Sequence, residues 1–357
     1  MSKESQHILF DDAVGLLKKL ITVPSFSREE SGTASLVMDF FLAKEIPAQR
    51  HGNNVYARNK YYDAGKPTIL LNSHHDTVKP AKGYTLDPFE AIEKEGKLFG
   101  LGSNDAGGCL VSLVAAFLFF YDRNDLKYNL IMAASAEEEI SGANGIESLL
   151  PLLGTIDFGI VGEPTQMEMA VAERGLLVVD CMASGKAAHV ALNEGENALY
   201  KAMDDISWIR SYHFSKESDL LGETKMNVTV AETDNRQHNV VPSQCKFVID
   251  IRVNEKYSFE EVLEILGRHL SSSFQPRSTR LKSTAIALNH PLVKAGQQLG
   301  KEYYGSLTTS DKALMPFPAL KMGPGISSRS HIADEFIYLK EIEEGISTYI
   351  GLLQQIV

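Results

Sequence analysis

Cysteine is scarce in this chain. Cys109, Cys181 and Cys245 are the three in 357 residues, scattered and each in an apolar context. An odd number at irregular spacing excludes a disulfide framework and a thiolate metal site, and reads as reduced core residues. Basic charge is not in excess either: Lys+Arg total 35 against Asp+Glu 46, a formal net charge of −11. That balance, dispersed and without an acidic tail, argues against nucleic acid or a membrane surface as partner. Long apolar runs are missing as well. The run Leu110–Tyr121 is too short to span a bilayer and suits a buried helix. The stretch Met1–Gln6 is polar, with no basic segment leading into an apolar core. No secretory leader is expected, and the expected compartment is the cytoplasm. Repeats and low-complexity segments are absent too.

What is present is ordinary globular composition, 44% hydrophobic and 23% charged, in a chain long enough for two domains. Phe10–Leu20 has helical periodicity with Pro24 beyond its end, and Ser27–Glu30 has the form of a capping box for a following helix. Asn54–Ala57, Thr68–Leu71, Leu130–Ala134 and Phe158–Val161 read as strands. Strands alternating with helices predict an α/β domain with a helix-covered, largely parallel sheet. Beyond Arg174 the texture changes. Strands at Leu176–Met182, Met226–Glu232, Cys245–Val253 and Leu281–Leu288 and helices at Glu196–Arg210 and Ser258–His269 give the order βαββαβ. The expected division is residues 1–174 and 286–357 as one domain, with 175–285 inserted as an α+β unit.

Chemistry collects where the strands end. His74-His75-Asp76 follows the first buried strand, and alternation places His74 and Asp76 on one face. A carboxylate beside an imidazole fixes its tautomer and raises the basicity of the other nitrogen, the usual support for a metal-bound histidine. Phe99–Gly108 superficially suggests a dinucleotide loop, but Asp105 stands where the third glycine belongs and would repel a pyrophosphate. Its glycines are better read as a tight turn presenting Asp105. Glu137-Glu138-Glu139 follows the third strand, Glu163 the fourth, and His331 a glycine-rich turn, Gly323-Pro324-Gly325. Three adjacent carboxylates repel one another unless a cation sits among them. A mixed imidazole and carboxylate set without thiolates suits zinc or a neighbouring divalent ion, and suffices for two metals if Asp105 bridges.

Taken in order, Ser73–Val78, Gly100–Gly108, Ala136–Glu139, Gly162–Thr165 and Ser330–Glu335 resemble the family of acetylornithine deacetylase, succinyl-diaminopimelate desuccinylase and carboxypeptidase G. The resemblance covers nearly the whole chain, including Gly185–His189 and Asn239–Pro242. It implies two Zn2+ per subunit, with Co2+ or Mn2+ as substitutes. His74 and Glu163 would hold one metal and Glu139 and His331 the other, with Asp105 between them. Asp76 would orient His74, and Glu138 would be the general base. The inserted domain would form a homodimer and act as a lid, and its His189 would stabilise the oxyanion in the neighbouring subunit's site. Arg174, Asn239, Arg252, Thr309 and Gly325 match substrate-binding positions, and Arg329 is the candidate cation for a succinyl terminus. Three departures stand out: Ser73 replaces a common glycine, Ile326 stands where a polar residue is frequent, and Glu137 replaces the usual aspartate. The last leaves open a one-residue slip that would make Glu137 the base and Glu138 the ligand.

The resemblance implies a zinc-dependent amidohydrolase. Thr308–Asp311 and Ser327–His331 look most like biosynthetic deacylases, so the expected substrate is N-acetyl- or N-succinyl-L-ornithine, in arginine biosynthesis. The alternatives are a dipeptidase or aminoacylase, an acyl-lysine or succinyl-diaminopimelate deacylase, and, in a different class, a catalytically inactive metal- or ligand-binding homologue.

Overall fold

The computed structural model describes residues 3–192 and 194–357, so the expectation at Met1–Gln6 falls partly outside the described residues. The chain divides into two compact units. The first takes the residues up to Val171, Ile286–Tyr304 and Ser310–Val357; the second takes Ala172–Ala285 and Gly305–Thr309. Gly305–Thr309, assigned in the sequence to the first unit, thus groups with the second.

Burial at every position makes Thr68–His74 the central strand of the first unit. It runs parallel to Asn129–Ser135 on one side and Phe158–Val161 on the other, and Ala319–Lys321 continues the parallel set beyond Phe158–Val161. Asn54–Arg58 and Ala48–His51 add antiparallel strands at one side, so the sheet is mixed with a parallel middle. A parallel sheet must be covered on both faces. Leu70, Ile131, Ala133 and Val161 pack with Ile146, Leu149 and Leu153 of the helix Ile146–Leu153. Ile69 and Leu71, of opposite parity, turn to the other face. There the apolar helix Gly108–Tyr121 lies with the helices Lys3–Ile21 and Leu339–Gln354. The stretch Ser103–Tyr121 is long and apolar enough by length and composition to cross a membrane, but 83% of its apolar window is buried inside the protein.

Two expectations for the first unit need correction. The first helix starts at Lys3, earlier than its periodic stretch. No capping box forms at Ser27–Glu30, because the next helix begins at Ser31, one turn too late for Ser27 to reach it. Tertiary partners take both side chains instead. Ser27 donates to Asp76 at 2.7 Å, and the buried Glu30 carboxylate accepts from Asn53 at 2.8 Å and from the Glu137 N–H at 3.1 Å.

The second unit is a four-stranded antiparallel sheet in the order Lys225–Thr233, Gln244–Val253, Gly175–Ser184, Ser273–Pro276. Period-two alternation turns Leu177, Val179, Cys181, Phe247, Ile249 and Ile251 onto the helices Ala198–Ser211 and Phe259–His269. Ser258 caps the latter in a reciprocal box, its hydroxyl accepting from Glu261 N–H at 3.1 Å and its own N–H donating to the Glu261 carboxylate at 2.9 Å. The order is βαββαβ, but the closing strand is Ser273–Pro276, not Leu281–Leu288. The latter contributes only Thr284–Ala285, paired with Glu173 and Ala172. A polar serine run concealed the true strand, which offers the core only Phe274.

Phe117, fully buried on the central helix, meets Phe41 edge-on with ring centroids 6.1 Å apart. Phe117→Ala is expected to cost about 3–5 kcal/mol, read as a lower urea midpoint at unchanged slope.

Candidate metal centre

His74 occupies the last position of the central strand and is 1% exposed. Its Nδ1 lies 2.9 Å from the Asp76 carbonyl oxygen, which can only accept, so Nδ1 carries the proton and Nε2 is left as the ligand atom. The Asp76 carboxylate stands 3.5 Å from Nδ1. It also accepts from the N–H groups of Glu138 at 3.0 Å and Glu139 at 3.1 Å, and from Ser27. Burial would raise the Asp76 pKa, but the His74 imidazole, then the Ser27 hydroxyl and the Glu138 N–H, hold it below its ordinary value. Ser73 turns its hydroxyl away from the site, onto the Gly162 carbonyl at 2.8 Å, so its replacement of glycine is accommodated.

Asp105 lies between the two imidazoles. Its Oδ1 is 3.3 Å from His74 Nε2 and its Oδ2 3.5 Å from His331 Nε2. The loop that carries it is held by a residue the sequence reading did not single out. The Glu335 carboxylate, 1% exposed, accepts from the N–H groups of Gly102 at 3.1 Å, Asn104 at 2.8 Å and Asp105 at 2.9 Å. Burial pushes Glu335 up to about 8, against those hydrogen bonds and with the Asp105 charge adding to the rise. Asn104 ties the loop in the reverse direction, accepting from Ile326 N–H at 3.1 Å and donating to Ser330 Oγ at 3.2 Å. Gly325, at φ +86°, passes so close that a Cβ would come within 2.5 Å of Asn104 Oδ1.

Of the three consecutive glutamates, Glu137 faces away. Its backbone is left-handed at φ +55°, and its carboxylate accepts from Asn144 Nδ2 at 3.0 Å. The two that follow turn inward. Glu138 Oε2 is 3.9 Å and Glu163 Oε1 3.8 Å from His74 Nε2, and Glu139 Oε2 is 2.9 Å from His331 Nε2. Ligand atoms of His74, Glu138 and Glu163, and of His74, Asp105 and Glu139, form two groups each within 4.8 Å. Beneath them Asp311 accepts from Asn72 at 2.9 Å and Ser135 at 2.7 Å, with burial raising it to about 6.

The electrostatics state what the cluster needs. Burial, then the neighbouring Glu163, raises Glu138 well above the usual carboxylate range. The His74 imidazole would be depressed by burial, yet Asp105, Asp76, Glu138 and Glu163 drive it well above its ordinary value. The bond to Glu139 raises His331 to about 9, against burial. Imidazoles and a carboxyl whose proton affinity is raised together mark a cluster rich in negative charge, and divalent cations answer the same demand. The donor set, imidazoles and carboxylates without thiolates, fits such ions.

The remaining expected residues divide by unit. In the first, Arg329 must be corrected as a substrate cation. Its guanidinium forks onto the Glu341 carboxylate, with Nη1 at 2.9 Å, and lies 5.0 Å from the Phe336 ring centroid. A guanidinium committed to that fork is a structural tie. In the second unit Arg174 donates through Nε to the Leu221 carbonyl at 3.2 Å, and Thr309 donates to the Arg174 carbonyl at 3.1 Å. Arg252 also forks onto a carboxylate, Asp250 on its own strand, with Nε at 2.8 Å and Nη2 at 3.1 Å, but its side chain is 38% exposed against 11% for Arg329. Asn239 is exposed. His189, also exposed, accepts the Ala191 N–H on Nδ1 at 3.2 Å, which leaves Nε2 as the donor.

The parallel strands thus end beside a cluster of imidazoles and carboxylates that could hold metal ions. The chain matches peptidase family M20/M25/M40 over residues 70–355 and belongs to it. It is 25% identical over 378 residues to a succinyl-diaminopimelate desuccinylase of Rickettsia bellii, covering 95% of each chain. It is 27% identical over 282 residues to the enzyme of that name in a Wolbachia of Culex pipiens, covering 73% of this chain and 69% of the relative. Among solved structures, aminopeptidase PepT of Bacillus cereus has the same fold, with TM-score 0.76, 18% identity and coverage of 97% and 98%. So does a dinuclear metal-binding M20 peptidase of Bacillus subtilis, with TM-score 0.73, 17% identity and 99% of both chains covered. The chain is a metal-dependent amide hydrolase.

Two substitutions test this geometry. Asp76→Asn turns an amide N–H2 toward backbone donors, and is expected to weaken metal binding by about 10- to 100-fold, read by chelator competition. Arg329→Met breaks a mostly buried ion pair and is expected to cost about 3 kcal/mol of stability, with activity on acetylated and succinylated substrates falling in equal proportion.

Proposed function

We propose that the chain hydrolyses the amide of an N-acylated diamino acid, with N-succinyl-diaminopimelate the first candidate and N-succinyl- or N-acetyl-L-ornithine the second. The placement of Asp105 between two imidazoles, 3.3 and 3.5 Å away, carries the hydrolytic reading. The near full-length relatives named for succinyl-diaminopimelate favour the first candidate. The motifs Thr308–Asp311 and Ser327–His331 favour the second.

In this reading His74 and Glu163 would hold one ion and Glu139 and His331 the other, with Asp105 shared, and zinc would be the metal. Such ions supply Lewis acidity toward the amide carbonyl and acidify a water to near neutrality. Glu138 takes a proton from the attacking water and returns it to the leaving nitrogen, so that the C–N bond breaks to a free carboxylic acid and a free amine. Asp76 keeps His74 in the tautomer that leaves Nε2 available. His189 of one subunit donates from Nε2 to the oxyanion developing in the neighbouring subunit's site, and Arg174, Asn239, Arg252, Thr309 and Gly325 are the candidate substrate contacts. A homodimer through the second unit is supported by that unit's edge strand, Lys225–Thr233, with its exposed Val230, and by exposed Tyr200 and Met203 on the helix Ala198–Ser211 that contacts it.

The test is amine release from N-succinyl-L,L-diaminopimelate, N-succinyl-ornithine, N-acetyl-ornithine and a tripeptide, with metal-loaded and chelator-stripped protein. Metal-dependent release from an acylated diamino acid is expected. Glu138→Gln should lower kcat by about 10²- to 10⁴-fold while keeping its metals. Turnover of the peptide alone would overturn the substrate class, and full activity in Glu138→Gln would overturn the proton path.

A further inference from the structure

Glu335 is a buried carboxylate that the chemistry above does not use. It lies at the far end of the segment that carries His331, four residues on, and it accepts three backbone N–H groups, from Gly102, Asn104 and Asp105 itself. The reverse connection comes from Asn104, whose side chain bonds Ile326 and Ser330 on the His331 side. The Asp105 loop and the His331 segment are therefore laced together in both directions. Further backbone bonds run between them, Gly100 N–H to the Glu335 carbonyl at 3.0 Å. Asp105 and His331 stand 3.5 Å apart across this lacing, each presented by an irregular segment, with His331 at φ +61°.

The strand-end ligand His74 has no comparable need, because a central strand fixes its backbone on both sides. Asp105 depends on hydrogen bonds from outside its own loop. We propose that Glu335, with Asn104, is a positioning residue that sets Asp105 against His331 and so builds the second metal position selectively. The inference rests on the reading of Asp105 as the shared ligand. A glutamine at 335 would keep one carbonyl oxygen but direct an N–H2 group at backbone N–H donors, so at least one buried donor would lose its partner.

The test is zinc stoichiometry and affinity by titration against a chromophoric chelator, with the cobalt absorption spectrum as a second readout. The proteins are the full-length wild type, Glu335→Gln, Glu335→Asp, Asn104→Ala and Asp105→Asn. The first equivalent is expected to bind Glu335→Gln as it binds wild type. The second is expected to weaken by about 10- to 100-fold, the range found when outer partners of ligands are removed. Asn104→Ala should reproduce that selective weakening, and Glu335→Asp should recover part of it. A merely structural role would weaken both equivalents together or neither. Equal binding of both metals by Glu335→Gln and wild type, with Asp105→Asn weakened at both, would overturn this inference alone. Asp105→Asn binding both metals normally would overturn the shared-ligand reading and this inference with it.

Discussion

The site depends on one carboxylate that touches no substrate. Asp76 is fully buried at the end of the central strand, and it gathers the N–H groups of Glu138 and Glu139, the Ser27 hydroxyl and the protonated edge of His74. An aspartate so placed does two jobs, one through its backbone carbonyl with the carboxylate behind it, the other through the carboxylate alone. It fixes which nitrogen His74 presents, and it fixes the turn on which the two inward-facing glutamates ride. The strained left-handed backbone at Glu137 and Ser141, φ +55° and +48°, persists because this anchoring and the Glu30 bond to Glu137 N–H over-determine it.

The same device recurs on the opposite side of the cluster. Glu335 holds backbone N–H groups of the Asp105 loop as Asp76 holds those of the glutamate turn. Ligands on irregular segments thus gain the definition that ladder hydrogen bonds give His74. The parallel strands provide the common origin. Their carboxyl ends bring His74, Ser135 and Gly162 side by side, and each following turn needs to travel only two to four residues to reach the shared space.

Legibility followed from how local each signal was. The buried strands, the apolar central helix and the Ser258 box declare themselves over a few residues, and their order gave the α/β architecture and the βαββαβ unit. The cluster of imidazoles and carboxylates was legible because strand ends concentrate it and the motif order repeats that of the family. The failures were tertiary. Ser27 and Glu30 have the spacing of a cap, yet partners distant in sequence, Asp76 and Glu137, claim them. Arg329 carries the right charge for a carboxylate substrate, but Glu341, twelve residues on, already occupies it. Ser273–Pro276 lacks the β-branched run that marks a strand and is held by its partner Val179–Met182. Asp311, Asn104 and Glu335 lay inside or beside quoted motifs; their roles needed the hydrogen bonds, not the letters.

The way the protein carries a negative cluster explains the choice of partners. A lysine or arginine placed against Asp105 or Glu163 would neutralise the charge and occupy the cation's place. The structure anchors its supporting carboxylates with backbone N–H dipoles instead, three at Glu335 and two at Asp76, and it diverts the nearby Arg329 to Glu341. Dipoles satisfy hydrogen-bonding capacity without supplying a full positive charge. Negative charge therefore dominates around the inward-facing groups; together with burial it raises Glu138, and against burial it raises His74 and His331. That negative charge favours divalent ions, and the hydrogen-bonded frame around it fixes where the candidate ligands stand.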